Sequence, residues 1–186
     1  MIRDPIIQPL QAASDLRLEP VEPIHAEPIF RLVDGDRARL GNRLPWVEGT
    51  RSPADTMAFI EDSMERRQGA GSGDWAIVAT IEARPTIVGV IGLHRLHRAN
   101  LRTAIGYWIA GAHEGHGFIT RASSAVVDHL FDLGFHRVEL HVATDNDRSR
   151  AVAERLGFQF EGVNRGTERL NGRWIDLAMH ARLSTD

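Results

Sequence analysis

The stretch from Arg102 to Val142 limits the possible folds more than any other part of this chain. Arg102–Ile109 alternates as a strand, and a glycine-containing turn follows. Phe118–Leu133 then has helical periodicity, with Val126, Val127, Leu130 and Phe131 on one side, and Val138–Val142 alternates again. A strand, a crossover helix and a second strand make a right-handed unit whose two strands run parallel. The other junctions read as antiparallel. The sequence therefore predicts an α/β (α+β) domain with a mixed, mostly antiparallel sheet and helices on both faces.

The remaining elements are read around that unit. Residues 1–14, with Pro5 and Pro9, read as an extended N-terminal arm, leaving one domain over residues 15–183. Leu16–Val21 reads as the first strand and Pro23–Val33 as a helix. Gly35, Gly41, Pro45 and Gly49 punctuate an irregular stretch that carries Trp46. Ser52-Pro53-Ala54-Asp55 has the marks of a helix start: a Ser cap, Pro in the first position and an acid in the first turn. Strands are expected at Trp75–Ile81 and Thr86–Leu93, joined around Ala83-Arg84-Pro85. A helix is expected over Asp147–Leu156, closed by Gly157. The strands Phe158–Val163 and Trp174–Leu183 flank Asn171-Gly172, a strong hairpin signal because both turn positions take positive φ.

Composition removes several functions. The 186 residues include no Cys, which excludes disulfide scaffolds, thiolate nucleophiles and Cys-ligated metal. The net charge is −3 with no long basic run, so direct nucleic-acid binding is not expected. No apolar run approaches the roughly 20 residues of a membrane helix, and the N-terminus lacks a secretory apolar region. The expected setting is the cytoplasm, with no membrane contact. His94/His97 and His113/His116 are each three residues apart, but at a strand end and in a loop, so no metal site is assigned.

The segment with most chemical content is Ile105-Gly106-Tyr107-Trp108-Ile109-Ala110-Gly111-Ala112-His113-Glu114-Gly115-His116-Gly117-Phe118-Ile119-Thr120. Gly115 and Gly117 remove Cβ atoms where a backbone must approach a ligand. The amides from Gly115 to Thr120 then sit at a helix start, a place suited to phosphate or pyrophosphate. The pattern is neither G-x-G-x-x-G nor a Walker motif, so a dinucleotide fold and a P-loop both fit poorly. Without further information the same glycines also read as an ordinary loop.

Ile-Gly-Tyr-Trp-Ile, the Glu114–Phe118 turn, Asn146-x-x-Ser149, Leu156-Gly157-Phe158 and Asn171-Gly172-x-Trp174-x-Asp176 occur here in order. Together with Leu44-Pro45-Trp46 and Ser52–Ile60, this set resembles the GNAT acetyltransferases, most closely the RimJ/RimL branch that acetylates N-terminal α-amines of ribosomal proteins. The resemblance spans roughly residues 15–183. It implies a central parallel strand pair that splays apart and an acetyl-CoA site in the gap. On that reading Gly115, His116, Gly117, Phe118, Ile119 and Thr120 hold the pyrophosphate through backbone amides, and the strand edge at Trp108, Ile109 and Ala110 binds the pantetheine arm. Asn146 also bonds that arm, and Ser149 meets the CoA sulfur. Asp145-Asn146-Asp147 equally reads as a helix cap. Glu114 and Ile119 depart from the residues the family usually carries there, and Glu114 is expected to point to solvent. A homodimer is also implied.

The resemblance leaves the base open. Many relatives carry Glu just before Ile-Gly-Tyr, where this chain has Ala104. Asp74, His94 and His97 remain as candidates, with Asp74 placed in the catalytic set and His94 and Trp46 against the acceptor. At pH 7 an α-amine costs about 1.4 kcal/mol to deprotonate and a lysine about 4.6 kcal/mol, so a site without a strong carboxylate base suits an α-amine. With no Cys, transfer is expected to be direct, without an acyl-enzyme. The expected function is therefore acetyl-CoA-dependent acetylation of a primary amine, with a protein N-terminus first among acceptors and a ribosomal protein as the partner implied. The alternatives are a small-molecule amine acetyltransferase, for an antibiotic, polyamine or amino acid, and a non-catalytic acyl-CoA-binding module.

Overall fold

The computed structural model describes residues 4–186; residues 1–3 of the expected arm lie outside the described residues. The strands are β1 (Leu10–Ala13), β2 (Leu16–Pro20), β3 (Asp74–Ile81), β4 (Arg84–His97), β5 (Arg102–Ile109), β6 (Arg137–Ala143), β7 (Gln159–Leu170) and β8 (Arg173–Leu183). They form one eight-stranded sheet in the order β1-β2-β3-β4-β5-β6-β8-β7. The pair β5–β6 is parallel, as the crossover requires, and its neighbours are antiparallel. The helices are α1 (Ala26–Gly35), α2 (Arg37–Gly41), α3 (Pro53–Gln68), α4 (Phe118–Asp132) and α5 (Asp147–Arg155).

The alternation of each strand divides the core between two faces. Trp75, Ile77, Ile91, Leu93 and Ile105 pack with Val126, Val127 and Leu130 of α4. Ala76, Val78 and Val90 face the other way and pack with Ile29 of α1 and Ile60 of α3. The α3 start is built as expected. Ser52 Oγ accepts from the Asp55 N–H at 3.4 Å, while Asp55 Oδ2 accepts from the Ser52 N–H at 2.8 Å, a reciprocal cap.

Several local readings change. The arm is tied down, because Leu10–Ala13 pairs with β2 and Ile6 and Ile7 are buried. The indole of Trp75, fully buried, donates to Gln8 O at 2.7 Å. The irregular stretch after Gly35 contains α2 and a 3-10 turn at Pro45–Glu48. The β3–β4 turn falls at Glu82-Ala83, both at positive φ, so Arg84 and Pro85 already belong to β4. The β7–β8 hairpin is longer than expected, and Asn171 and Gly172 take φ of 49° and 79° at its tip.

Candidate active site

The parallel pairing of β5 and β6 is short. It joins Arg102 to Arg137, Thr103 to Val138 and Ala104 to Glu139, and then stops although β5 continues to Ile109. Beyond Ala104 the two strands part. A cavity of about 430 Å³ fills the gap and opens toward α1, α3 and the β7–β8 hairpin. It is lined by Trp46, Asp74, His94, Trp108, Asn146 and Ser149 among others. Six of the positions singled out in the sequence therefore meet in one space.

The register explains how. Asp74 pairs with Gly92, Gly92 with Gly106, and His94 with Ala104, so these positions share one sheet face. Both glycines clear space. A Cβ on Gly92 would lie 1.9 Å from Asp74 Oδ1, and a Cβ on Gly106 would lie 2.8 Å from His94 Nε2. Asp74 is buried, and its carboxylate accepts from Arg66 Nη2 at 2.7 Å. The Asp74 N–H donates to Ser63 Oγ at 2.9 Å. His94 is open toward the cavity but enclosed on the sheet side. Burial holds its imidazole below the ordinary pKa; Asp74 pulls the other way, and Arg66, Arg95 and His141 add to the lowering. His94 is thus neutral at pH 7. His97 stays outside the cavity lining and accepts from the Asn100 N–H at 3.1 Å.

Trp46 and Trp108 form an aromatic wall, their ring centroids 5.8 Å apart and tilted by 54°. Asn146 is the cap of α5: its Oδ1 accepts from the Ser149 N–H at 3.3 Å. The bond uses the backbone of Ser149 and leaves the hydroxyl to the cavity. Two buried hydroxyls on the lining, Thr56 Oγ1 and Tyr107 Oη, make no hydrogen bond of good geometry among the described residues. Burial pushes Tyr107 up to about 12, with Ser149 close enough to pull weakly in the opposite direction. Tyr107 is therefore a proton-bearing donor with no firm partner of its own.

The strand edge corrects one expectation. The Ala110 N–H donates to Val88 O at 2.9 Å and is not available to a ligand. Successive residues of an antiparallel strand turn their polar groups to opposite sides, so Trp108 shares the β4 side with Ala110 and Ile109 faces the gap. The Ile109 carbonyl indeed lies away from β4 and accepts from Arg39 Nη2 at 2.6 Å. Of the three expected strand donors, Ile109 alone presents its amide to the gap.

The turn before α4 lies at the far end of the gap from Asp74, outside the cavity lining. Gly115 and Gly117 take φ of +82° and +71°, and a Cβ on either would meet nothing within 4 Å. Gly117 is the cap residue of α4 and supplies no side-chain bond, so the first amides of this helix point into open space. The Phe118 and Ile119 side chains are buried in the core, which leaves only their backbones for a ligand. The His116 ring stacks on Phe118 at 5.5 Å. An open cradle of amides, a strand edge facing a gap and two orphaned hydroxyls fit a long ligand with a phosphate end. Among the described residues no cluster of His, Asp or Glu could hold a metal.

Glu114 does not point to solvent. It accepts from Arg39 Nη1 at 2.7 Å and also pairs with Arg148 of α5. Two guanidinium groups offset its charge, so an acid can stand beside an anion-binding turn. Sequence reasoning missed this network because α2, which carries Arg39, was not recognised. It also missed Glu139, His141 and Glu168. His141 and Glu168 line the cavity, and Glu139 hydrogen-bonds His141. The alternation Glu139-Leu140-His141 was a visible signal, because it puts both polar side chains on one face of a strand.

Residues 15–159 match the acetyltransferase (GNAT) domain family. A ribosomal-protein-serine acetyltransferase of Escherichia coli (strain K12) is 28% identical over 175 residues, 94% of this chain and 96% of that protein. The Bacillus subtilis (strain 168) protein YdaF is 36% identical over 167 residues, 89% and 90% of the two chains. Among solved structures, RimL, a ribosomal L7/L12 alpha-N-protein acetyltransferase in complex with coenzyme A, superposes with a TM-score of 0.89 at 25% identity, covering 96% of this chain and 99% of that one. No helix among the described residues is long and apolar enough to cross a membrane. The splayed strands, the amide cradle and these relatives converge: the chain belongs to the GNAT acetyltransferase family and moves an acetyl group from acetyl-CoA to an amine.

Proposed function

We propose that the acceptor is the α-amine of a protein or peptide N-terminus, with a ribosomal protein as the natural partner and the cytoplasm as the setting. The observation that carries this reading is the state of the two positions where a carboxylate base was expected. Position 104 is a buried Ala, and the Asp74 carboxylate is already engaged by Arg66. A strong, free carboxylate for stripping a lysine ammonium is absent from both. The E. coli relative, named a ribosomal-protein-serine acetyltransferase, and RimL, named a ribosomal L7/L12 alpha-N-protein acetyltransferase, support it.

In this reading the amides of Gly115–Thr120 hold the CoA pyrophosphate, and Ile109 and Asn146 hold the pantetheine arm. The acceptor lies between Trp46 and His94. Its neutral nitrogen attacks the thioester carbonyl, an oxyanion forms near the Ile109 amide, and the C–S bond breaks. Ser149, with the Tyr107 hydroxyl behind it, supplies a proton to the departing thiolate. Asp74 keeps Arg66 and His94 in place. The aromatic wall also suits a flat small molecule. MccE, a microcin C7 self-immunity acetyltransferase solved with acetyl-CoA and AMP, superposes with a TM-score of 0.87 at 26% identity, covering 92% of this chain.

A panel of peptides with free N-termini, N-blocked lysine peptides and small amines tests the proposal. The α-amine peptides should have the highest kcat/KM at pH 7, and their lead over lysine should narrow as pH rises. Faster turnover of lysine peptides or of small amines at pH 7 would overturn it.

A further inference from the structure

Ala104 leaves the site without the carboxylate that a proton acceptor there would provide, but the neighbouring strand fills the position differently. Ala104 pairs with Glu139 across the parallel register, so Glu139 and, two residues on, His141 stand on the same sheet face as His94 and Asp74. His141 lines the cavity. Its Nε2 lies 3.0 Å from Glu139 Oε2, and both side chains are about nine-tenths buried. The other oxygen, Glu139 Oε1, accepts from Arg137 Nε at 2.8 Å and more weakly from Arg102. Burial opposes the charge on Glu139, but the bonds from Arg137 and His141 outweigh it and hold the carboxyl below its ordinary range. An ionised Glu139 can only accept, so in the form of His141 that can take up a proton it is Nε2 that carries the hydrogen. The lone pair is then on Nδ1, for which no protein donor is found among the described residues.

We infer that His141 Nδ1 is the proton acceptor for the incoming ammonium, with Glu139 as its positioning residue. The step rests on the acetyl-transfer reading above. The acceptor R–NH3+ gives one proton to Nδ1, directly or through one water, leaving R–NH2 and an imidazolium paired with Glu139. The nitrogen lone pair forms the C–N bond, and the C–S bond breaks with its electron pair going to sulfur. The second nitrogen proton ends on the thiolate. The products are the amide, CoA thiol and one proton, released when His141 returns to neutral. The arrangement separates the two proton tasks: His141 on β6 takes the first proton, and Ser149 on α5 attends to the sulfur.

The charged and titratable groups around His141 are Glu139 and Arg137 on its own strand, Arg102 on β5 and His94 on β4. Asp74 with Arg66, Asp145 with Arg43, Tyr107, Glu168 and Arg173 complete the set that reaches the same cavity. Of these, only Glu139 bonds the ring.

The test compares wild type, His141→Gln and Glu139→Gln across pH 6–10 with an α-amine peptide, alongside acetyl-CoA Kd by calorimetry. Positioned acid–base groups contribute roughly 10²–10⁴-fold, so His141→Gln should lower kcat/KM at pH 7 by about 100-fold. The loss should shrink above the amine pKa, where the acceptor arrives neutral. One ionisation should vanish from the acidic limb of the profile. Acetyl-CoA Kd should stay within about twofold, and imidazole should restore part of the activity of His141→Ala. Glu139→Gln should shift the same limb and lower activity less. A His141→Gln profile that overlays wild type would overturn the inference while leaving the acetyltransferase reading intact. If wild type binds acetyl-CoA but turns over no amine at any pH, it is the function reading that fails.

Discussion

Ser149 shows how one residue can serve two roles with separable atoms. Its N–H caps α5 through Asn146 Oδ1, and its hydroxyl faces the cavity beside Tyr107. Ser149→Ala therefore keeps the cap and loses only the hydroxyl. A charge-assisted hydrogen bond to the leaving thiolate is worth roughly 1.5–3 kcal/mol, so kcat and kcat/KM should both fall by about 10- to 150-fold. The ground-state thioester sulfur is a weak acceptor, so acetyl-CoA Kd should hardly change. The melting temperature should stay the same as well. A kcat within twofold of wild type, under conditions where chemistry limits, would remove Ser149 from the mechanism. At this scale the sequence offers Trp46, Asp74, His94, Asn146 and Ser149 as candidates, and the structure places all five on one cavity. What the sequence hid was clearance. Gly92 and Gly106 look like ordinary strand glycines, and only the register reveals that they make room for Asp74 and His94.

At the scale of elements, the turn into α4 carries a second prediction. Gly117 holds φ +71° with open space where a Cβ would stand, so a branched side chain there is both strained and in the path of an anion. Gly117→Val should weaken acetyl-CoA binding by at least about tenfold, in addition to the roughly 1–2 kcal/mol that left-handed strain takes from stability. Calorimetry and thermal melting on one preparation separate the two effects. Unchanged affinity in a folded variant would show that the pyrophosphate is bound elsewhere. The elements that were legible had strong periodic or turn signals, as with β5, α4, β6 and the Asn171-Gly172 tip. Those that were not lack local signals. Residues 37–41 are too few to show a period. Arg37 of α2 is anchored instead by bonds from its guanidinium to Val47 O and Thr50 O, both at 2.7 Å. β7 is mostly exposed along its length, so no alternation marked where it continued past Val163. Its pairing with β8 is also irregular between Asn164 and Glu168, where Glu168 enters the cavity lining.

Across the whole molecule, four carboxylates in ion pairs with arginine have their charge favoured by the fold. Asp4 pairs with Arg98, Asp15 with Arg121, and Glu139 and Glu161 both with Arg137. All four carboxyls lie below their ordinary range, with the guanidinium bonds as the main favourable cause, against burial in each case. A depressed folded-state pKa stabilises the protein above the unfolded value and loses that contribution as pH falls through the folded one. For the two glutamates the unfolded value is about 4.5. Stability to urea should thus be nearly level from pH 6 to 8 with respect to these groups and fall below about pH 4.5. Arg137→Gln gives the sharper form of the prediction. Without the guanidinium both glutamates move back toward their ordinary values, so the variant should be less stable than wild type at pH 7. The two should converge at acid pH, once the pH has fallen through the folded-state values and protonation removes the advantage from wild type as well. Equal destabilisation at pH 7 and at acid pH would mean that Arg137 acts through packing. The same substitution reaches the site, because Glu139 also orients His141. The acidic limb of the activity profile should therefore move in Arg137→Gln even at pH values where the protein remains fully folded.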